Sequence, residues 1–188
     1  MAEALTIARS ELILGGQRSG KSRRAELLAR AWLAQSPGHQ AVLIATAQAH
    51  DAEMRERIAR HQRDRAERVP GLRTVEEPLQ LDRAIPTHSR ADTLLVVDCL
   101  TLWLTNHLMP ASGAAGEPPI DVLLQALRTT PGPVVLVGNE IGLGVIPMGR
   151  EVRHFVDTLG RLNQDVARVC ERVTFMAAGL PLALKGQA

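Results

Sequence analysis

The chain has 188 residues, with 22 Lys and Arg against 20 Asp and Glu for a formal net charge of +2. That length suits one domain with room for a core, and the near balance of charge excludes the one-signed basic coat that grips nucleic acid by counterion release. Two Phe, two Trp and no Tyr leave little for a base-stacking platform, and no apolar run approaches the ~20 residues that span a bilayer.

Residues 1–10 read as an N-terminal extension without a basic start and long apolar stretch, so a cytoplasmic protein is expected, with a single domain over 11–188. The apolar run 12–14 predicts a first buried strand. Directly after it, Gly15–Gly16–Gln17–Arg18–Ser19–Gly20–Lys21–Ser22 matches G-x-x-x-x-G-K-[ST] and opens a helix predicted over about 20–35. Glycines let the backbone curl so that successive N–H groups face phosphate oxygens, and the helix N-terminus adds its positive end. Lys21 then reaches the β- and γ-phosphates, and the Ser22 hydroxyl is placed to ligate Mg²⁺. The bland alternative is a glycine-rich turn. Only Lys21 and Lys185 are lysines among the 22 basic residues, so a chain that otherwise uses Arg has the compact ammonium at this one motif position.

A second strand is predicted at 41–45 and a charged helix at 51–66, on which Met54, Ile58 and His61 share one face by their spacing. Spacing alone favours a half-buried, hydrogen-bonded His61, and the Arg and Glu residues around it favour a solvated charged face. The chemical alternative is that a neutral imidazole near pH 7 attacks phosphorus while nearby guanidiniums offset the phosphate charge. The strand 94–97 ends at Asp98, where open α/β sheets place ligand contacts, so Asp98 is the candidate magnesium-organising carboxylate, with a helix-cap role as its structural alternative. A helix at 101–109, an exposed Pro- and Gly-rich loop at 109–119 and a helix at 119–130 follow. Next come a strand at 134–137, a long helix at 148–170 with an apolar stripe from Val152 to Val169, and a strand at 173–176. Alternating strands and helices predict a mostly parallel sheet covered on both faces. Cys99 and Cys170, with no CxxC pair, give a disulfide framework or a structural zinc nothing to build on. No Asn-Lys-x-Asp segment is present, which disfavours a guanine-reading signalling GTPase.

The ordered motifs at 15–22, 45–48, 51–61, 73–76, 98–101, 139–147 and 160–164 together resemble the bifunctional adenosylcobinamide kinase/adenosylcobinamide-phosphate guanylyltransferase family over about residues 11 to 180. The resemblance implies a P-loop NTPase (RecA-like) three-layer fold with a mostly parallel central sheet. It also implies two activities: phosphorylation of adenosylcobinamide with ATP or GTP, then transfer of GMP from GTP to that phosphate through a guanylylated His61. The implied nucleotide contacts are Gly15 to Ser22, Thr46, Ala47, Gln48, Gln62, Arg63, Asp64, Arg65, Glu76 and Asp98, with Lys21 catalytic and Mg²⁺ on Ser22 and Asp98. A corrinoid substrate, nucleoside triphosphates and a homotrimer are the implied partners. Gly138 stands where the family pattern leads one to expect a small hydroxyl residue. The alternatives are a monofunctional P-loop small-molecule kinase, in which His61 is structural, and a nucleotide-dependent switch or binding module.

Overall fold

The structure, a computed structural model, describes residues 5–49 and 52–186. Seven strands and six helices alternate: β1 (Ser10–Gly15), α1 (Lys21–Gln35), β2 (Gln40–Ala45), α2 (Ala52–Arg68), β3 (Leu72–Glu76), α3 (Leu81–His88) and β4 (Thr93–Asp98), then α4 (Leu100–Leu108), α5 (Ile120–Thr129), β5 (Val134–Val137), α6 (Arg150–Val169), β6 (Arg172–Ala177) and β7 (Leu180–Lys185). The strands form one sheet in the order β3-β2-β4-β5-β1-β6-β7, parallel except for β7, which pairs antiparallel with β6. This is the expected three-layer α/β architecture.

Each predicted strand and helix is present, and three elements are added. Strand β3 carries Arg73 and Glu76 and is half-exposed, so it offers no apolar run. Helix α3 has Pro86 inside it, and β7 is exposed along its whole length. Within residues 5–10, the Arg172 guanidinium donates to the Thr6 carbonyl and hydroxyl, both at 2.8 Å, and Ser10 already belongs to β1.

Alternate residues of β1, β4 and β5 feed two cores. Leu12, Leu95, Val97 and Leu136 pack beneath α3, α4, α5 and α6, with Trp103, Leu123, Leu127 and Leu159 buried against them. Ile13, Leu94, Val96 and Val135 pack beneath α1 with Leu28. The stripe on α6 divides, with Phe155, Leu159, Leu162 and Val166 turned into the core while Val152 stays exposed. Parallel register carries the strand ends to one rim, where Ala45 lies level with both Glu76 and Asp98, and Asp98 with Val137. Among the described residues no helix is long and apolar enough to cross a membrane.

Candidate active site

Strand β1 delivers the glycine loop to the centre of this rim. Gly15 has φ +151°, and a Cβ there would meet the Met176 carbonyl and the Ser19 hydroxyl, so only glycine fits. Gly16, Gln17 and Arg18 are exposed, Arg18 in the left-handed region at φ +56°. The far side of the loop is braced by the β6–β7 turn, whose Gly179 N–H donates to the Ser19 carbonyl at 3.0 Å. A Cβ on Gly20 would come within 3.3 Å of Gly179 Cα. Nothing in the strand pattern pointed to this brace, although Ala178 and Gly179 before Leu180 form a turn signal.

Gly20 precedes α1 with no side-chain cap, so the first N–H groups of the helix are not claimed by a neighbouring side chain. Lys21 is 7 % exposed, and its ammonium donates to the Gly16 carbonyl at 2.5 Å, across the mouth of the loop. Burial pushes the Lys21 amine below its ordinary value, and the neighbouring Cys99 and Asp98 partly offset that. The Ser19 hydroxyl is buried without a hydrogen-bond partner. An orphaned donor beside a folded-back ammonium and an uncapped helix end describes a cradle shaped for anionic oxygens. Ser22, half-buried in the first turn of α1, and Asp98, at the end of β4 near Lys21, complete its floor.

Thr46 is fully buried and engaged within the protein. Its hydroxyl donates to the Cys99 carbonyl at 2.7 Å and accepts from the Cys99 N–H at 2.8 Å. The Thr46 N–H donates to the Asp98 carbonyl at 3.1 Å, and its carbonyl accepts from the Asn106 amide at 2.8 Å. This clasp ties β2 to the β4–α4 corner, and it leaves the half-buried Ala47 and Gln48 as the neighbours open to a ligand. The Cys99 thiol, pushed up to about 12 by burial, stays protonated at neutral pH.

Helix α2 is held differently. At its C-terminal end the Arg68 guanidinium bridges Glu26 of α1 at 3.1 Å and Asp64 at 3.0 Å. Arg65 is 7 % exposed, lies 3.9 Å from Glu26 and donates to Thr74 at 3.3 Å. Arg65 therefore spends its charge inside the fold and Asp64 its charge on a half-exposed pair with Arg68, whereas Arg63 is exposed. The Gln62 amide reaches Glu76 at 3.4 Å, which sets this part of α2 at the β3 edge of the rim. From β3 to β1 are four strand spacings, or about 19 Å. His61 belongs to α2, but its side chain, with those of Met54 and Ile58, lies outside the described part of the structure.

Comparison with known proteins matches residues 11–184 to the CobU family, cobinamide kinase / cobinamide phosphate guanyltransferase. The chain is 50% identical over 177 residues to the bifunctional adenosylcobalamin biosynthesis protein CobP of Pseudomonas aeruginosa, covering 94% of this chain and 98% of that one. It is 35% identical over 187 residues to the bifunctional adenosylcobalamin biosynthesis protein CobU of Escherichia coli, covering 93% and 98%. Its fold is similar to the flagellar accessory protein FlaH of Methanocaldococcus jannaschii, at a TM-score of 0.50 and 13% identity over 95% of this chain and 79% of that one.

Proposed function

The chain belongs to the cobinamide kinase / cobinamide phosphate guanyltransferase family, and from that premise we propose how one phosphate cradle serves two successive reactions. The protein is a bifunctional transferase of adenosylcobalamin biosynthesis. It first phosphorylates the aminopropanol hydroxyl of adenosylcobinamide with ATP or GTP. It then moves GMP from GTP onto the new phosphate, releasing pyrophosphate and forming adenosylcobinamide-GDP.

In both steps Gly15 to Ser22 hold the polyphosphate through backbone N–H groups, and Lys21 leaves the Gly16 carbonyl for the β- and γ-oxygens. Ala47, Gln48, Gln62, Arg63 and Glu76 border the nucleoside, while Thr46, Asp64 and Arg65 hold the segments that carry them. The half-buried Ser22 hydroxyl and the Asp98 carboxylate suit Mg²⁺, a hard cation that takes one or two protein oxygens and keeps the phosphates and water as its other ligands. When bound, the ion supplies charge neutralisation on the phosphates.

His61 is the nucleophile of the second step: its imidazole attacks the α-phosphorus of GTP, pyrophosphate leaves, and the acceptor phosphate then displaces the histidine. The Gln62–Glu76 contact, about 19 Å from β1, supports a cycle in which α2 or the nucleotide changes position between the two steps.

What supports this most is the cradle itself, with the Lys21 ammonium drawn onto the loop and the Ser19 hydroxyl left without a partner. Leu143, Val145, Ile146 and Met148 are 77–97% exposed, and Leu180, Leu182 and Leu184 lie bare on β7. Apolar surface of this extent is covered in a homotrimer, which sedimentation would report, and a cytoplasmic location accords with both activities. The test of function is product analysis. Given adenosylcobinamide, Mg²⁺ and GTP, the protein forms the phosphate first and the GDP conjugate second, and formation of neither would refute the assignment.

A further inference from the structure

The two steps make unequal demands on the acceptor. An alcohol is about as weak an acid as water and must lose its proton as it attacks, whereas a phosphate monoester arrives already ionised. The kinase step therefore calls for a proton acceptor that the transferase step can do without.

Among the described residues, four carboxylates stand on or just past the strand ends of this rim. Glu76 is held by Gln62 at the remote β3 edge. Glu77 closes the turn into α3, accepting from the N–H groups of Leu79 at 3.0 Å and Gln80 at 2.8 Å. Asp98 faces the Lys21 ammonium and suits the metal. Glu140 follows β5, the strand between Asp98 and the cradle, and its own N–H donates to the Gly15 carbonyl at 3.1 Å.

The segment bearing Glu140 is fixed on both sides, by the Asn139 N–H on the Thr101 hydroxyl at 2.8 Å and the Asn163 amide on the Asn139 carbonyl at 3.1 Å. The half-buried Glu140 carboxylate makes no ion pair among the described residues. One oxygen accepts from the Gly142 N–H at 2.7 Å, which sets the orientation and leaves the other oxygen open. Beside it runs a groove of about 470 Å³ between α6 and the β6–β7 edge, which Leu143, Asn163, Gln164 and Leu184 also line.

Resting on the kinase activity assigned above, we propose that Glu140 is the general base of the kinase step and is not needed for guanylyl transfer. As the acceptor oxygen bonds to the γ-phosphorus, its proton passes to the open Glu140 oxygen. The bond from γ-phosphorus to the bridging oxygen breaks with its electron pair, and the nucleoside diphosphate leaves. Glu140 then returns the proton to water.

The experiment measures the two half-reactions separately in wild type, Glu140→Gln and Glu140→Asp, using adenosylcobinamide for the first and preformed adenosylcobinamide phosphate for the second. Gln keeps the acceptor for the Gly142 N–H and removes only the base. The kinase kcat of Glu140→Gln falls by about 100-fold or more, while its nucleotide KM and its transferase rate stay within about threefold of wild type. Glu140→Asp recovers kinase to within about tenfold of wild type. Equal loss in both half-reactions, or an undiminished kinase rate in Glu140→Gln, overturns the proposal. A wild type that guanylylates but never phosphorylates overturns the kinase assignment itself, an outcome told apart because the unmodified protein is the silent one.

Discussion

The phosphate cradle and helix α2 are held by opposite means. The cradle is fixed by backbone: Gly15 against the Met176 carbonyl, Ser19 under the Gly179 N–H, and Glu140 on the Gly15 carbonyl, all over a buried strand. Among its described side chains helix α2 is held by charge, through Arg65 and Arg68 against Glu26 and Thr74 and through Arg68 against Asp64, and its exposed residues include Arg60, Gln62 and Arg63. Backbone hydrogen bonds over a packed sheet resist displacement, whereas the half-solvated pair of Arg68 with Asp64 contributes little and breaks readily, and the buried Arg65 lies at the long distance of 3.9 Å from Glu26. Among the described residues, the loop that would grip the phosphates is thus held by backbone, and the helix that carries His61, the proposed nucleophile, is held by side-chain charges.

The sharpest way to probe that contrast is at its stiff end. Lys21→Ala should lower kcat/KM of both half-reactions by about 1,000-fold, since transition-state charge on the phosphates loses its cation in each. Because burial lowers the Lys21 amine below the usual lysine range, nucleotide affinity should decline with rising pH earlier than an ordinary lysine would dictate. The sign reverses for folding of the free protein. Its folded state tolerates the neutral amine better than the unfolded chain does, so the cost of burying the charge is relieved as pH rises from the lowered value towards the ordinary one.

At the tethered end, Glu26→Ala removes the partner of Arg68 and the nearest carboxylate to the buried Arg65. Arg68 is half-exposed and the Arg65 pair is long, so the loss should be about 2 kcal/mol in chemical unfolding, below that of a fully buried pair. Transferase should fall by about tenfold while nucleotide KM moves by less than about threefold, because the tether is cut and the cradle is not. Equal losses in the two half-reactions would erase the distinction between the regions.

Much of the cradle was legible from the chain, since the G-x-x-x-x-G-K-S spacing encodes its own backbone path and β1 and α1 flank it as expected. Other parts were not legible, for physical reasons. Strand β3 has only Leu72 and Val75 apolar, among Arg73, Thr74 and Glu76 at a half-exposed edge, and β7 buries nothing, so neither gives the apolar run that marks an interior strand. Thr46 is among the nucleotide contacts the resemblance implies, and no local pattern shows that its hydroxyl is taken up by the corner formed by Asp98 and Cys99, distant in sequence. Arg65 looked like part of an exposed basic face until Glu26 and Thr74, distant in sequence, enclosed it. Glu140 sits beside Gly15 only because β5 pairs with β1, a neighbour relation that no local pattern reveals.

Gly138 offers a smaller effect on the stiff side. A Cβ there would lie 3.3 Å from the Asn163 side-chain oxygen Oδ1, which is buried without a donor, and 3.1 Å from the movable tip of Leu14. Gly138→Ser supplies that donor and Gly138→Ala does not, while both crowd Leu14 alike. The serine variant should therefore be about 1 kcal/mol more stable than the alanine variant in thermal or chemical unfolding. Equal stabilities would mean that the Asn163 oxygen is already satisfied.

The most direct test of the two-reaction scheme is to incubate the protein and a His61→Ala variant with Mg²⁺ and GTP labelled at the α-phosphate, without corrinoid, and to measure label bound to protein. The scheme predicts label on the wild type alone, stable to alkali and released by acid as a phosphoramidate is, with GTP binding retained in both proteins. An unlabelled wild type that is folded and binds GTP, or equal labelling of His61→Ala, would contradict it.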